Sequence, residues 1–84
     1  HNLYLNVMVA DDEAGLLSRV NSCLLEHVDV LDFRRLDSRD GTMQLTYFIE
    51  CDDPQLINTM VDHLRQTLPV IEISFLQQEQ VLGG

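Results

Sequence analysis

The hydrophobic period of the sequence changes near residue 12, and this change is the strongest constraint on the fold. Apolar residues alternate from Leu3 to Val9, which predicts a β-strand with one apolar face and one mixed face. From Asp12 onward the apolar residues recur every three or four positions, which predicts an amphipathic helix of about four turns. Asp12 is the expected N-cap of this helix, and Gly15 follows closely. The chain therefore opens with a strand that passes directly into a helix.

A tight hairpin is the next strong signal. Alternating apolar residues predict strands over residues 30–36 and 42–50, with Leu31 and Phe33 on one face of the first strand. The Asp40-Gly41 pair between them readily supplies the positive φ angles of a short hairpin turn. These two strands are therefore expected to be antiparallel neighbours.

A second helix and a fourth strand complete the pattern. Asp52 or Asp53 is the expected cap of the helix, because Pro54 suits the first helical position, and Pro69 prevents the helix from continuing. Residues 70–76 alternate again and predict a strand. Its inward side chains are expected to be Ile71, Ile73 and Phe75.

The resulting order, β-α-β-β-α-β, predicts an α+β fold. With right-handed crossovers it gives a ferredoxin-like sandwich, in which one four-stranded antiparallel sheet carries two helices on one face. We expect a single domain over residues 1–84, with a folded core at 2–77 and a tail at 78–84. Because the chain starts at His1 and enters a strand almost at once, we also expect it to be part of a longer protein with further domains.

Composition argues against several classes of partner. The 84 residues have a net charge of −9 and include no lysine, whereas nucleic acids and anionic membranes are bound through basic patches. The arginine cluster is interleaved with aspartates, which predicts local ion pairs at Arg34, Arg35 and Arg39. No apolar run approaches the roughly 20 residues of a membrane-spanning helix, and no signal peptide opens the chain. These features predict a cytoplasmic protein that does not bind nucleic acid or insert into membranes.

Few residues indicate chemistry. Cys23 and Cys51 form no CxxC motif and have apolar neighbours, which predicts two buried free thiols, with a single disulfide as the alternative. His27 and His63 have no second ligand at i+4 and are expected to be exposed helix residues. No nucleophile elbow, phosphate loop or HExxH motif occurs. No cofactor, metal site or catalytic residue is therefore predicted, and a small acid- or metal-assisted enzyme is the remaining enzymatic alternative.

Residues 12–20, Asp-Glu-Ala-Gly-Leu-Leu-Ser-Arg-Val, resemble the opening signature of ACT domains. In that family a strand ends in a loop of the type Asp-x-Pro-Gly, and Leu-Leu or Ile-Leu begins the helix that follows; Ala14 stands here where proline is usual. The resemblance continues through residues 28–30, the turn at Asp40-Gly41, the second helix and residues 70–73, and so covers nearly the whole chain. It implies a non-catalytic regulatory domain that pairs edge to edge or face to face. It also implies that an amino acid or similar small effector binds near the loop.

Two candidate sites follow. The first is the strand-to-helix joint, where backbone N–H groups can receive a ligand carboxylate and acidic side chains can receive an amine or a cation. Its residues are Asp11, Asp12, Glu13, Ala14, Gly15 and Leu16. The second is an interface on the sheet face away from the helices. Its residues are Tyr4, Met8, Phe48 and Leu76.

Two hypotheses about function stay open. One is a regulatory domain that senses a small effector at the strand-to-helix joint and forms a homodimer. The other is a ligand-free interaction module that joins copies of a larger protein, such as the cytoplasmic C-terminal domain of a membrane protein.

Overall fold

The computed structural model describes residues 2–10 and 13–77. It contains four strands and two helices in the predicted order, which are β1 (Asn2–Val9), α1 (Leu16–Leu25), β2 (Val30–Arg39), β3 (Thr42–Glu50), α2 (Pro54–Thr67) and β4 (Val70–Gln77). The sheet order is β2-β3-β1-β4, and every neighbouring pair is antiparallel. This confirms the predicted ferredoxin-like sandwich. The predicted tail at 78–84 lies outside the described residues.

The core lies between the helices and one face of the sheet. Alternate residues of the two central strands are buried there, and they meet the apolar stripes of both helices. The fully buried side chains include Leu5, Val7, Val20, Leu24, Leu45, Tyr47, Ile49, Met60 and Leu64. Burial of so many apolar groups is the main stabilising contribution in a domain of this size. Within the described part of the chain, neither helix is long and apolar enough to cross a membrane.

The β2–β3 hairpin turns at the predicted residues. Asp40 and Gly41 both have positive φ, at 52° and 76°. This combination matches the right-handed twist of the flanking strands. The Thr42 hydroxyl donates a hydrogen bond to the Arg39 carbonyl at 2.7 Å and closes the turn.

The two helices begin differently. Asp53 caps α2, because its Oδ1 accepts a hydrogen bond from the Gln55 N–H at 2.9 Å while Pro54 is the first helical residue. In α1 the N-cap is Gly15, in the left-handed region at φ 92°, and the helix has only ten residues. The prediction that Asp12 caps a four-turn helix is therefore wrong, because the chain makes a further turn before the helix starts.

Two β-bulges change which side chains face the core. In β4, Met8 pairs with Glu72 and Val9 with Val70, so Ile71 is an extra residue with 49% of its surface exposed. The expectation that Ile71 points inward is wrong, whereas the half-buried side chains of Ile73 and Phe75 do contact the core. In β2 the register shifts between Phe33 and Arg35, which leaves Arg34 as the extra residue.

Candidate functional site

The strand-to-helix joint is held at both ends by backbone hydrogen bonds. The Ala10 N–H donates to the Pro69 carbonyl at 2.8 Å, which ties the end of β1 to the approach to β4. The Leu16 N–H donates to the Glu13 carbonyl at 3.2 Å, and the Arg19 N–H donates to the Gly15 carbonyl at 3.0 Å. The Leu16–Glu13 bond closes a turn immediately before α1, and the Arg19–Gly15 bond is the first of the helix.

The six predicted residues of the joint have different positions. Glu13, Ala14 and Gly15 are exposed, whereas the Leu16 side chain is buried in the core and its N–H already donates to the Glu13 carbonyl. Asp11 and Asp12 lie outside the described residues. Gly15 has no side chain with which to cap the first turn of α1. Because first-turn N–H groups have no intrahelical acceptor and carry partial positive charge, this geometry suits a carboxylate.

The open face of the sheet, which is the face away from the helices, carries the predicted interface residues. Tyr4 and Phe48 are neighbours on paired strands, with ring centroids 5.3 Å apart in an edge-to-face arrangement. On the opposite edge of β1 from β3, Leu76 of β4 pairs with Tyr4 and has 66% of its surface exposed. The Arg34 guanidinium lies 5.5 Å from the centre of the Phe48 ring. We call Tyr4, Phe48 and Leu76, with Arg34, the open-face cluster.

Met8 lies apart from this cluster. It is four residues along β1 from Tyr4, and a polar row separates the two, in which the Thr46 hydroxyl donates to Asn6 Oδ1 at 2.6 Å. A shallow recess of about 310 Å³ lies beside Met8, lined by Met8, Arg35, Asp37, Arg39, Thr42 and Gln44. The structure therefore brings together three of the four predicted interface residues.

Two of the three arginines of β2 for which ion pairs were predicted, Arg34 and Arg35, form them along the strand. Arg34 lies 2.9 Å from Asp32, and Arg35 lies 2.9 Å from Asp37. About half or more of each of these side chains is exposed, and exposed pairs of this kind contribute little to stability because water and salt screen them.

Beside a groove between the two helices lies a group of residues that the sequence did not indicate. His27 Nε2 and His63 Nδ1 are hydrogen-bonded at 3.0 Å, and Glu26 Oε2 lies 3.8 Å from the same His63 nitrogen. Both rings are half-buried, so the expectation that they are exposed helix residues is wrong; His27 lies beyond the end of α1. The groove has a volume of about 260 Å³ and is lined by Ser18, Arg19, Ser22, Cys23, Glu26, His63, Thr67 and Leu68.

The two cysteines are free and buried, as predicted. Burial raises the pKa of the Cys23 thiol; the nearby Glu26 carboxylate adds to the rise, and a hydrogen bond with Thr67 opposes it. Cys23 is therefore held as a neutral thiol on the wall of the groove.

Comparison with known proteins gives matches in structure alone. No protein-family model matches the sequence, and no curated protein matches it either. A crystal structure of the ACT domain from GTP pyrophosphokinase of Chlorobium tepidum superposes with a TM-score of 0.66 at 18% identity, covering 89% of this chain and 96% of that domain. Its solution structure gives a TM-score of 0.67 at 14% identity, with 100% and 94% covered.

The C-terminal domain of the MgtC protein from Mycobacterium tuberculosis is similarly close. Its TM-score is 0.65 at 12% identity, and the match covers 99% of this chain and 93% of that domain. This chain has an ACT-like fold. The resemblance predicted from residues 12–20 is thereby confirmed at the level of the fold, and the strand-to-helix joint is the β1–α1 loop of an ACT-like domain. At these sequence identities the match shows the fold and assigns no role to any residue.

Proposed function

We propose that this chain is a non-catalytic regulatory domain that pairs with a second copy of itself through the open face. The observation that carries the proposal is the open-face cluster, where Leu76 is largely exposed beside the Tyr4 and Phe48 rings. Contiguous aromatic and aliphatic side chains on an otherwise polar surface are typical of interaction sites. The similarity to the ACT domain of GTP pyrophosphokinase and to the C-terminal domain of MgtC supports a role as a module of a longer chain.

Charge on the open face favours a second copy as the occupant. At the β2 side of the face Arg35 is paired with Asp37 and Arg39 adds a positive charge, whereas the opposite side at β4 carries Glu72. In a face-to-face dimer whose twofold axis lies between the two sheets and runs parallel to the strands, the β2 side of each copy lies against the β4 side of its partner, so the basic and acidic sides meet. Such pairing offsets part of the repulsion between two chains that each carry a net charge of −9. The two free buried thiols favour a reducing compartment, so we place the domain in the cytoplasm.

Sedimentation velocity with a matched pair of variants tests the assembly. Leu76→Asp places a charge in the open-face cluster, whereas Leu56→Asp makes the same change at an exposed leucine on α2. Burying two-thirds of a leucine in each of two symmetric copies is worth roughly 2–4 kcal/mol, so Leu76→Asp should raise the dimer dissociation constant by about 30-fold or more. Leu56→Asp should leave it unchanged. A monomeric wild type at about 1 mM, or equal effects of both variants, would contradict the proposal.

A specific observation also supports a second function, binding of a small effector at the β1–α1 loop. The N-cap of α1 is Gly15, which has no side chain to cap the helix. The exposed residues Glu13 and Ala14 precede it, and the helix begins at the next residue, Leu16. We infer that a zwitterion such as an amino acid fits best, with its carboxylate on the first-turn N–H groups and its amine toward Glu13. An anionic phosphate suits this acidic loop less well.

Calorimetric titration with a panel of amino acids tests effector binding. Gly15 and Gly41 form a matched pair, because both have positive φ and neither has an atom within 4 Å of an added Cβ. Gly15→Ala should weaken effector binding, whereas Gly41→Ala should strain the backbone equally and leave binding unchanged. No heat with any amino acid at about 10 mM would rule out this function for the chain.

A further inference from the structure

The end of α1 and the middle of α2 bring two imidazole rings into direct contact. His27 and His63 are 36 residues apart in the sequence, yet their Nε2 and Nδ1 atoms lie 3.0 Å apart. The rings are nearly perpendicular, with an interplanar angle of 81° and centroids 5.2 Å apart. Glu26, the residue before His27, places Oε2 3.8 Å from His63 Nδ1. One imidazole nitrogen and one carboxylate oxygen therefore lie within 3.8 Å of His63 Nδ1, beside the helix–helix groove.

We propose that His27, His63 and Glu26 bind a divalent transition-metal ion, with Zn²⁺ as the expected ion. The proposal concerns a different part of the molecule from the proposed function and does not depend on it. In the metal-free pair the two facing nitrogens share a single proton, one as donor and the other as acceptor. When a cation binds, the donor ring carries its proton on its other nitrogen instead, so that both rings stay neutral and each presents a lone pair to the ion, which is the ordinary way in which imidazoles ligate metals.

The distances suit such an ion after a small adjustment. A tetrahedral Zn²⁺ holds two ligand nitrogens, each at about 2.0–2.1 Å, about 3.3 Å apart. The observed separation is 3.0 Å, so the nitrogens must move apart by only about 0.3 Å, and each ring must also turn so that its lone pair points at the ion instead of at the other nitrogen. As they stand, no three or more His, Cys, Asp and Glu side chains in the described ranges are placed to hold a metal ion, so the site forms only when the carboxylate moves. The Glu26 side chain is 64% exposed and can rotate toward the rings, and the groove gives water access to the fourth position.

The donor set selects the class of ion. Imidazole nitrogen favours Zn²⁺, Cu²⁺ and Ni²⁺, whereas Mg²⁺ and Ca²⁺ prefer a shell of oxygen ligands. Cys23 lines the same groove, but burial raises the pKa of its thiol and disfavours the thiolate that a metal requires. We therefore assign the site to the two histidines and the glutamate without the cysteine.

Isothermal titration of the 84-residue chain with ZnCl₂ at pH 7.5 tests the site. We expect one ion per chain with a dissociation constant below about 100 μM. His27→Gln and His63→Gln should each weaken binding by about 100-fold, since even outer-shell changes at metal sites cost roughly 10–100-fold. His1→Ala removes the remaining histidine of the sequence and should leave affinity unchanged, as should Cys23→Ala. Binding should also weaken as the pH is lowered, because protons compete for both rings.

Three results would overturn the proposal. One is binding weaker than about 1 mM, another is affinity lost in His1→Ala or Cys23→Ala but kept in His63→Gln, and the third is displacement of Zn²⁺ by an equal concentration of MgCl₂. Circular dichroism establishes that each variant is folded. If a histidine variant does not fold, imidazole NMR of the wild type decides instead. Zn²⁺ must then shift the ring signals of His27 and His63, and unchanged signals refute the site.

Discussion

The hydroxyl of Tyr47 provides a sharp test of how α1 is held against the sheet. The Tyr47 ring is fully buried on β3, 5.4 Å from the Phe33 ring, and its hydroxyl donates a hydrogen bond to Asn21 Oδ1 on α1 at 2.5 Å. Tyr47→Phe removes this bond while keeping the ring that fills the core. A typical hydrogen bond contributes about 1 kcal/mol, and Asn21 is half-buried, so water can partly rehydrate its amide. We expect the free energy of unfolding to fall by about 1 kcal/mol at pH 7.

This cost should disappear in alkaline solution. Burial raises the pKa of the Tyr47 phenol above its ordinary value of about 10. Below pH 10 the phenol is protonated in both the folded and the unfolded chain, and the contribution of Tyr47 to stability is complete. Above pH 10 the unfolded chain ionises first, so the wild type loses stability at up to about 1.4 kcal/mol per pH unit. By pH 11 this loss is about 1.4 kcal/mol, which equals or slightly exceeds the benefit of the hydrogen bond.

Urea unfolding followed by circular dichroism at pH 7, 9, 10 and 11 measures the effect. The stability difference between the wild type and Tyr47→Phe should be about 1 kcal/mol at pH 7 and should vanish or reverse near pH 11. Tyr4→Phe is the matched control, because it makes the same change on a half-buried ring of the open face; it should stay within about 0.5 kcal/mol of the wild type at every pH. A Tyr47→Phe difference that does not change with pH would refute the reasoning.

Two further predictions concern local structure and use thermal unfolding. Asp53→Ala removes the side chain that caps α2 and should cost about 1 kcal/mol, while Asp52→Ala, at the exposed neighbouring position, should change stability by less than about 0.5 kcal/mol; equal effects would place the cap elsewhere. Gly41→Ala forces a Cβ into a turn at φ 76° and should cost about 1–2 kcal/mol through backbone strain alone, since nothing lies within 4 Å of the added atom. No loss of stability on Gly41→Ala would show that the hairpin can adopt another turn.

The order of the elements could be predicted because each central element has a clean period. The alternation of β3 gives its observed bounds, Thr42–Glu50, since both of its faces are specified by side-chain type. The Asp40-Gly41 turn and the Pro54 start of α2 each depend on one residue's backbone preference, which acts locally. Signals of this kind need no knowledge of tertiary contacts.

In the edge strands β2 and β4 the inward and outward side chains do not alternate throughout, because each strand has a β-bulge where it pairs with its neighbour. If the alternation of β4 continued without interruption, Ile71 would face the core. A β-bulge in the pairing of β1 with β4 leaves Ile71 without a partner residue between Val70, which pairs with Val9, and Glu72, which pairs with Met8. In β2 a bulge at Arg34 places Leu36 opposite Leu45 on the helix side of the sheet. A bulge depends on the pairing of two strands, so the sequence of one strand does not encode it.

The candidate sites differ in the same way: some follow from a local sequence pattern, and one depends on tertiary contacts. The open-face cluster could be predicted because its residues follow the alternation of regular strands, and the β1–α1 loop could be located because the period changes there. The histidine pair could not, because His27 lies beyond the last helical residue of α1. Its N–H donates to the Leu24 carbonyl, so a turn carries the ring toward α2 instead of continuing the polar stripe. A residue just past a helix end has no position in the helical period, and a face assigned to it from that period has no physical basis. Contacts between such residues and a second helix depend on how the helices pack, which only the folded chain specifies.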